Sequence, residues 1–91
     1  MEFEWDEGKD AANRAKHGVP LGEAVLMDWE NGQTRQDSRA DYGEARYEIL
    51  AAHDGRVWVC IFTLRGGVHR VISLRKANRR EERRYEQTRS K

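Results

Sequence analysis

The stretch Asp54-Gly55-Arg56-Val57-Trp58-Val59-Cys60-Ile61-Phe62-Thr63-Leu64-Arg65-Gly66-Gly67-Val68 decides the fold. Arg56–Leu64 is apolar at nearly every position. A strand of that kind is covered on both faces, which places it in the middle of its sheet. Asp54-Gly55 is the strongest hairpin signal in the chain. Residues 46–53 alternate apolar and polar, so they form the preceding strand. Gly66-Gly67 makes a second tight turn, and Val68–Leu74 returns as a third strand. The centre of the molecule is therefore an antiparallel meander of at least three strands.

Upstream, Glu2-Phe3-Glu4-Trp5 alternates as a short edge strand would. Asp6 reads as a helix N-cap, with Glu7 in the first turn where the helix dipole favours an anion. That helix runs to about His17 and ends at Gly18. Its apolar face would be Ala11, Ala12 and Ala15. Pro20 opens a second short helix carrying Leu21, Ala24, Val25 and Leu26, ended by Glu30-Asn31-Gly32. Residues 33–43 are polar enough for an edge strand and a loop. Downstream, Asn78-Arg79-Arg80-Glu81 matches a capping box and starts a last helix at about Arg79. The fold class is α+β: two N-terminal helices packed on an antiparallel β-sheet meander, with a basic C-terminal helix over 78–91. The 91 residues fit one domain.

Charge is unevenly spread. Residues 1–64 hold 7 Lys/Arg against 13 Asp/Glu, whereas residues 65–91 hold 10 against 3. Most of the late cations are arginine, whose planar fork of donors suits phosphate oxygens. A polyanion is the partner such a distribution suggests; a solvated basic helix is the plainer alternative. One cysteine excludes an internal disulfide and a CxxC zinc site. Cys60, in the most apolar strand, reads as core filler. His17, His53 and His69 lack metal-ligand spacing, so neither metal nor cofactor is expected. No apolar run approaches a membrane span, and the acidic start does not read as a secretory signal. The expectation is a cytoplasmic protein.

Three arginines cluster near the late hairpin and its exit: Arg65, Arg70 and Arg75. Simple alternation puts Arg70 with Val68, Ile72 and Leu74, and Arg75 with His69, Val71 and Ser73. A guanidinium in a mostly apolar strand needs a partner. That partner is either a carboxylate such as Glu48 or a scissile phosphate. Lys16 and His17 are the second candidate. Histidine moves protons near neutral pH, but both residues also suit a helix C-terminus on electrostatic grounds alone.

These residues carry a resemblance. Phe3-Glu4-Trp5-Asp6, Asn13…Lys16-His17-Gly18-Val19, Glu23-Ala24, Thr63…Arg65-Gly66, Arg70-Val71-Ile72-Ser73…Arg75-Lys76-Ala77 and Arg79-Arg80-Glu81…Tyr85-Glu86 together resemble the BrnT family of toxin ribonucleases from type II toxin–antitoxin systems. The match covers nearly the whole chain; Leu74 stands where the family usually has alanine, and Trp29–Gly43 matches poorly. The resemblance implies a RelE-like fold, an RNA substrate and inhibition of translation. It also implies a BrnA-type ribbon-helix-helix antitoxin, with operator DNA reached only through that partner. By the match, Arg65, Arg70 and Arg75 look like active-site arginines, with Lys16, His17 and Glu81 as further carry-overs. Lys16, Lys76, Arg79, Arg80 and Arg83 would contact the RNA backbone. Such a protein would cut RNA without metal, through attack of the 2′-OH on its neighbouring phosphorus. His17 would be the base, with His69 or Glu81 as alternatives. A non-catalytic nucleic-acid-binding module and a purely protein-binding subunit remain as rivals.

Overall fold

A computed structural model describes residues 1–89; Ser90 and Lys91, the end of the expected 78–91 helix, lie outside the described residues. Both tight turns of the central meander take the conformation their sequences favour. Asp54 and Gly55 have φ of 52° and 76°, and Gly66 and Gly67 have 58° and 82°. Positive φ at both central residues is what a type I′ hairpin turn requires. The first turn joins β3 (Arg46–His53) to β4 (Arg56–Arg65), and the second joins β4 to β5 (Val68–Lys76). β4 is buried from Val57 to Thr63, as its composition predicts.

Among the described residues the sheet has five strands in the order β1-β5-β4-β3-β2, with β1 at Phe3–Trp5 and β2 at Gln33–Asp37. The antiparallel meander needs one correction. β1 pairs with β5 in parallel, Glu4 opposite Arg70, so the sheet is mixed. The chain passes from β1 to the rest of the sheet through a helix, and this connection lets the first strand run alongside the last.

The expectation of two N-terminal helices also changes. α1 (Glu7–His17) is α-helical, with Asp6 capping the Lys9 N–H at 3.0 Å and the Gly18 N–H returning to the Arg14 carbonyl. The second segment, Leu21–Leu26, is a 3-10 turn. It buries Leu21 and Ala24 but leaves Val25 and Leu26 exposed, because a tighter turn cannot bring all four apolar residues to one side. α2 (Arg79–Arg89) begins where the capping box predicts. Asn78 Oδ1 accepts from the Glu81 N–H at 2.9 Å, and Glu81 Oε1 accepts from the Asn78 N–H at 2.9 Å.

The two sheet faces carry separate cores. Leu21, Ala24, Met27, Ile49, Cys60, Phe62, Val71 and Leu74 pack on one. Leu50, Val57, Val59, Ile61, Ala77 and Tyr85 of α2 pack on the other. Val71 and Leu74 share a face although they are three positions apart. A bulge makes this possible: Phe62 pairs with Val71 but Ile61 pairs with Ser73, so Ile72 is the extra residue. The bulge overturns the simple alternation expected for β5. Arg70, Ser73 and Arg75 lie opposite Thr63, Ile61 and Val59, which places all three on the α2 face.

α1 covers the part of the β5 edge that β1 does not reach. Asn13, not the alanines, is the buried residue of this helix. Its Oδ1 accepts from the Leu74 N–H at 3.1 Å, and its Nδ2 donates to the Leu74 and Val19 carbonyls at 2.9 Å each. A side-chain amide thereby replaces the missing neighbouring strand and satisfies a buried ladder position.

Candidate active site

The Asn13 contact fixes α1 beside β5 and leaves a hollow of about 400 Å3 on the α2 face of the sheet. Lys9, Ala12, Asn13 and Lys16 line it at helical spacing, with His17 at the helix end. Ile61, Ile72, Ser73 and Arg75 come from β4 and β5, Glu48 from β3, and Arg39 from the loop after β2. Lys9, Lys16, Arg39 and Arg75 thus meet from three separate parts of the chain. Cations converging on one concave site focus potential and attract an anion.

Each wall has a reason to stay in place. Arg75 is gripped by Glu81 through two parallel bonds, Nη1–Oε1 and Nη2–Oε2, both 2.8 Å. This contact raises the Arg75 pKa and lowers that of Glu81. Asp37, nearly buried, accepts from Arg39 Nε and Nη2 at 2.8 Å each, and the bond to Arg39 holds the Asp37 carboxyl below its ordinary pKa. The Arg46 guanidinium sits 4.0 Å from the Tyr42 ring centre in the same loop. His17 has its pKa lowered first by burial, then by the charges of Lys16 and Arg75. It is a half-buried imidazole among cations that disfavour its protonated form.

The hollow takes in Lys16, His17 and Arg75 and leaves the other expected residues elsewhere. Arg65, at the exposed hairpin end, pairs with Glu44 at 3.3 Å. Arg70 pairs with Glu4 of the adjacent β1 strand, not with Glu48. Neither lines the hollow. Glu81 has both oxygens occupied by Arg75 and the Asn78 N–H, and it serves as cap and clamp. His69 lies on the opposite sheet face, stacked on Phe62 at 5.3 Å between ring centres and close to Phe3 and Trp29. Lys76 pairs with Trp58, also away from the hollow face. Arg79, Arg80 and Arg83 are exposed on α2, and the latter two line a shallow groove with Arg84 and Gln87.

Sequence reasoning missed Lys9, Arg39, Ser73 and Asn13, and saw Glu48 only as an ion-pair partner. Lys9 was findable, since it precedes Lys16 by seven residues and so shares its helix face. Arg39 was not, because it comes from a polar loop whose path depends on tertiary contacts. Among the described residues no three His, Cys, Asp or Glu side chains gather in a metal-binding group. Nor is any described helix long and apolar enough to cross a membrane.

Fold and site define a small α+β domain with a cationic cleft against one face of its sheet. The model of the family described as ribonuclease toxin BrnT, of type II toxin–antitoxin systems, matches residues 5–81. The chain belongs to that family, whose members are ribonuclease toxins that act opposite a protein antitoxin. No curated protein matches it significantly.

Proposed function

We propose that the hollow binds one phosphodiester of RNA and that the chain cuts it without metal, by attack of the 2′-OH on the adjacent phosphorus. The supporting observation is the convergence of Lys9, Lys16, Arg39 and Arg75 around His17. RNA carries its own nucleophile, so the protein needs charge stabilisation on the phosphorane oxygens and proton transfer. Arg75 is the central cation, held in one orientation by Glu81. Lys9, Lys16 and Arg39 neutralise the non-bridging oxygens and the neighbouring phosphates. His17 is the proton-transfer group. Arg79, Arg80 and Arg83 follow the backbone outside the hollow. Arg65 and Arg70 act outside the reaction, each tied to its own carboxylate.

Cleavage of cellular RNA in the cytoplasm would stop translation. A BrnA-type ribbon-helix-helix antitoxin is the partner this reading implies, carrying the pair to operator DNA. The fold is then of the RelE-like kind, with the 3-10 turn in place of a second helix. The test is mapping of RNA ends after incubation with purified toxin in EDTA. A 2′,3′-cyclic phosphate or 3′-phosphate on the 5′ fragment is expected. A 3′-hydroxyl, or loss of activity in EDTA, would overturn the mechanism.

One observation favours a non-catalytic RNA-binding module: Arg65, Arg70 and Arg75 each already have an internal carboxylate partner. Salt-dependent RNA binding without any scission would establish that rival.

A further inference from the structure

Glu48 is the carboxylate that lines the hollow, and it is almost enclosed, with 13% of its side chain exposed. It stands on β3 opposite Ile61, so it rises from the same sheet face as Ser73 and Arg75. Its two oxygens differ. Arg35 Nε donates to Oε1 at 3.0 Å, and Arg84 Nη2 donates to the same Oε1. Among the described residues none donates to Oε2. The carboxylate is therefore anchored through one oxygen, from β2 and from α2, and keeps the other available. Glu81 shows the opposite arrangement, with both oxygens engaged.

We propose that Glu48 is the proton acceptor for the 2′-hydroxyl and that His17 is the donor to the departing 5′-oxygen. This rests on the RNA-cleavage reading above. The hollow holds a carboxylate on the sheet and an imidazole at the end of α1, with Arg75 near both. The same arginine appears among the charges acting on His17, and Glu48 among those acting on Arg75. In the step, the 2′-O–P bond forms as Glu48 Oε2 takes the 2′-OH proton. The P–O5′ bond breaks as His17 hands its proton to O5′. The products are a 2′,3′-cyclic phosphate and a 5′-hydroxyl, and solvent returns the two side chains to their starting states. The charged groups facing Glu48 are Arg35 on β2, Arg84 on α2, Arg75 on β5 and Arg39 in the loop after β2. Those facing His17 are Lys16 on its own helix and Arg75. An RNA phosphate bound among these cations would offset their effect on the imidazole and favour its protonated form.

The test uses single-turnover cleavage of a short single-stranded RNA and of the same RNA with sulfur replacing the bridging 5′-oxygen. A thiolate leaves without a proton, so the sulfur substrate removes the need for a donor but not for an acceptor. Glu48→Gln should lose about 100-fold or more on both substrates, the usual scale for a positioned base. His17→Ala should lose a similar factor on ordinary RNA and recover most of it on the sulfur substrate. Glu48→Gln retaining over a tenth of the wild-type rate, or recovering on the sulfur substrate, overturns the assignment. Should Glu48→Gln not fold, Glu48→Asp decides, since it keeps the charge that Arg35 and Arg84 require. A loss of at least tenfold on both substrates supports the assignment, and a wild-type rate overturns it. Failure of the underlying reading looks different: wild-type protein would then give neither cyclic-phosphate nor 3′-phosphate ends.

Discussion

Glu81 joins Arg75 to the first turn of α2: the carboxylate that caps the helix through the Asn78 N–H also clamps the guanidinium in the hollow. Loss of this one group therefore acts on stability and on cleavage together. Glu81→Gln removes a charge-assisted pair and weakens the cap, and should cost about 1–3 kcal/mol in urea unfolding. Cleavage should fall less than on removing Arg75 itself. Loss of stability without any change in cleavage would show that Arg75 keeps its orientation unaided.

The same pair sets an acid limit. Arg75 and the Asn78 N–H lower the Glu81 pKa from its ordinary 4.5, and Arg39 lowers that of Asp37 from 3.8. A carboxylate with a lowered folded pKa contributes stability above its unfolded pKa. That contribution disappears as pH falls through the folded value. Stability should drop below about pH 4.5, and Glu81→Gln should flatten that drop. An unchanged slope between pH 5 and 3 would exclude Glu81 as a source of it.

Arg75 and Arg70 should separate in behaviour. Arg75→Ala removes a preorganised donor from the hollow and should reduce cleavage about 10²–10³-fold in a folded protein. Arg70→Ala breaks a partly exposed pair with Glu4, worth roughly 1 kcal/mol or less, and should leave cleavage near wild type. Equal loss in both would bring Arg70 into the reaction.

Asn13→Ala should be among the most damaging single changes outside the apolar cores. It leaves the Leu74 N–H and the Leu74 and Val19 carbonyls without partners, at about 1–3 kcal/mol for each buried group left unmet. Thermal unfolding would measure it. α1 should also protect its amides from hydrogen exchange less well than α2 in the variant.

Lys16→Met should raise the His17 pKa, because a like charge beside the imidazole disfavours its protonated form. Titration of the ring protons by NMR measures the shift. With its folded pKa below the ordinary 6.5, His17 favours folding above that pH, and the contribution fades as pH falls through the lowered value. Lys16→Met should weaken this dependence.

Much of this architecture was readable from local chemistry. Asp54-Gly55, Gly66-Gly67 and the Asn78–Glu81 box are signals whose physics is complete within four residues, and their elements begin and end where expected. The face of Arg75 was not readable, because nothing in Val71-Ile72-Ser73-Leu74 marks Ile72 as the extra residue. Only the demand that Val71 and Leu74 both reach the same core decides it. The parallel β1 and the role of Asn13 depend on partners more than 60 residues away, beyond any local pattern. Glu48 looked like an ordinary strand carboxylate until Arg35 and Arg84 were seen to share one of its oxygens.

The extra residue at Ile72 makes this strand a parity device. Arg70 and Arg75 are an odd number of positions apart, and only the uneven count against β4 lets them emerge on one side. Drawing Ile72 into even pairing with β4 would carry Arg75 through the sheet and away from Arg70, whereas losing that residue would leave the two four positions apart and still on one side. Whether that one residue is counted in the ladder or left out of it thus decides the side of Arg75 as a left-right choice rather than a graded adjustment.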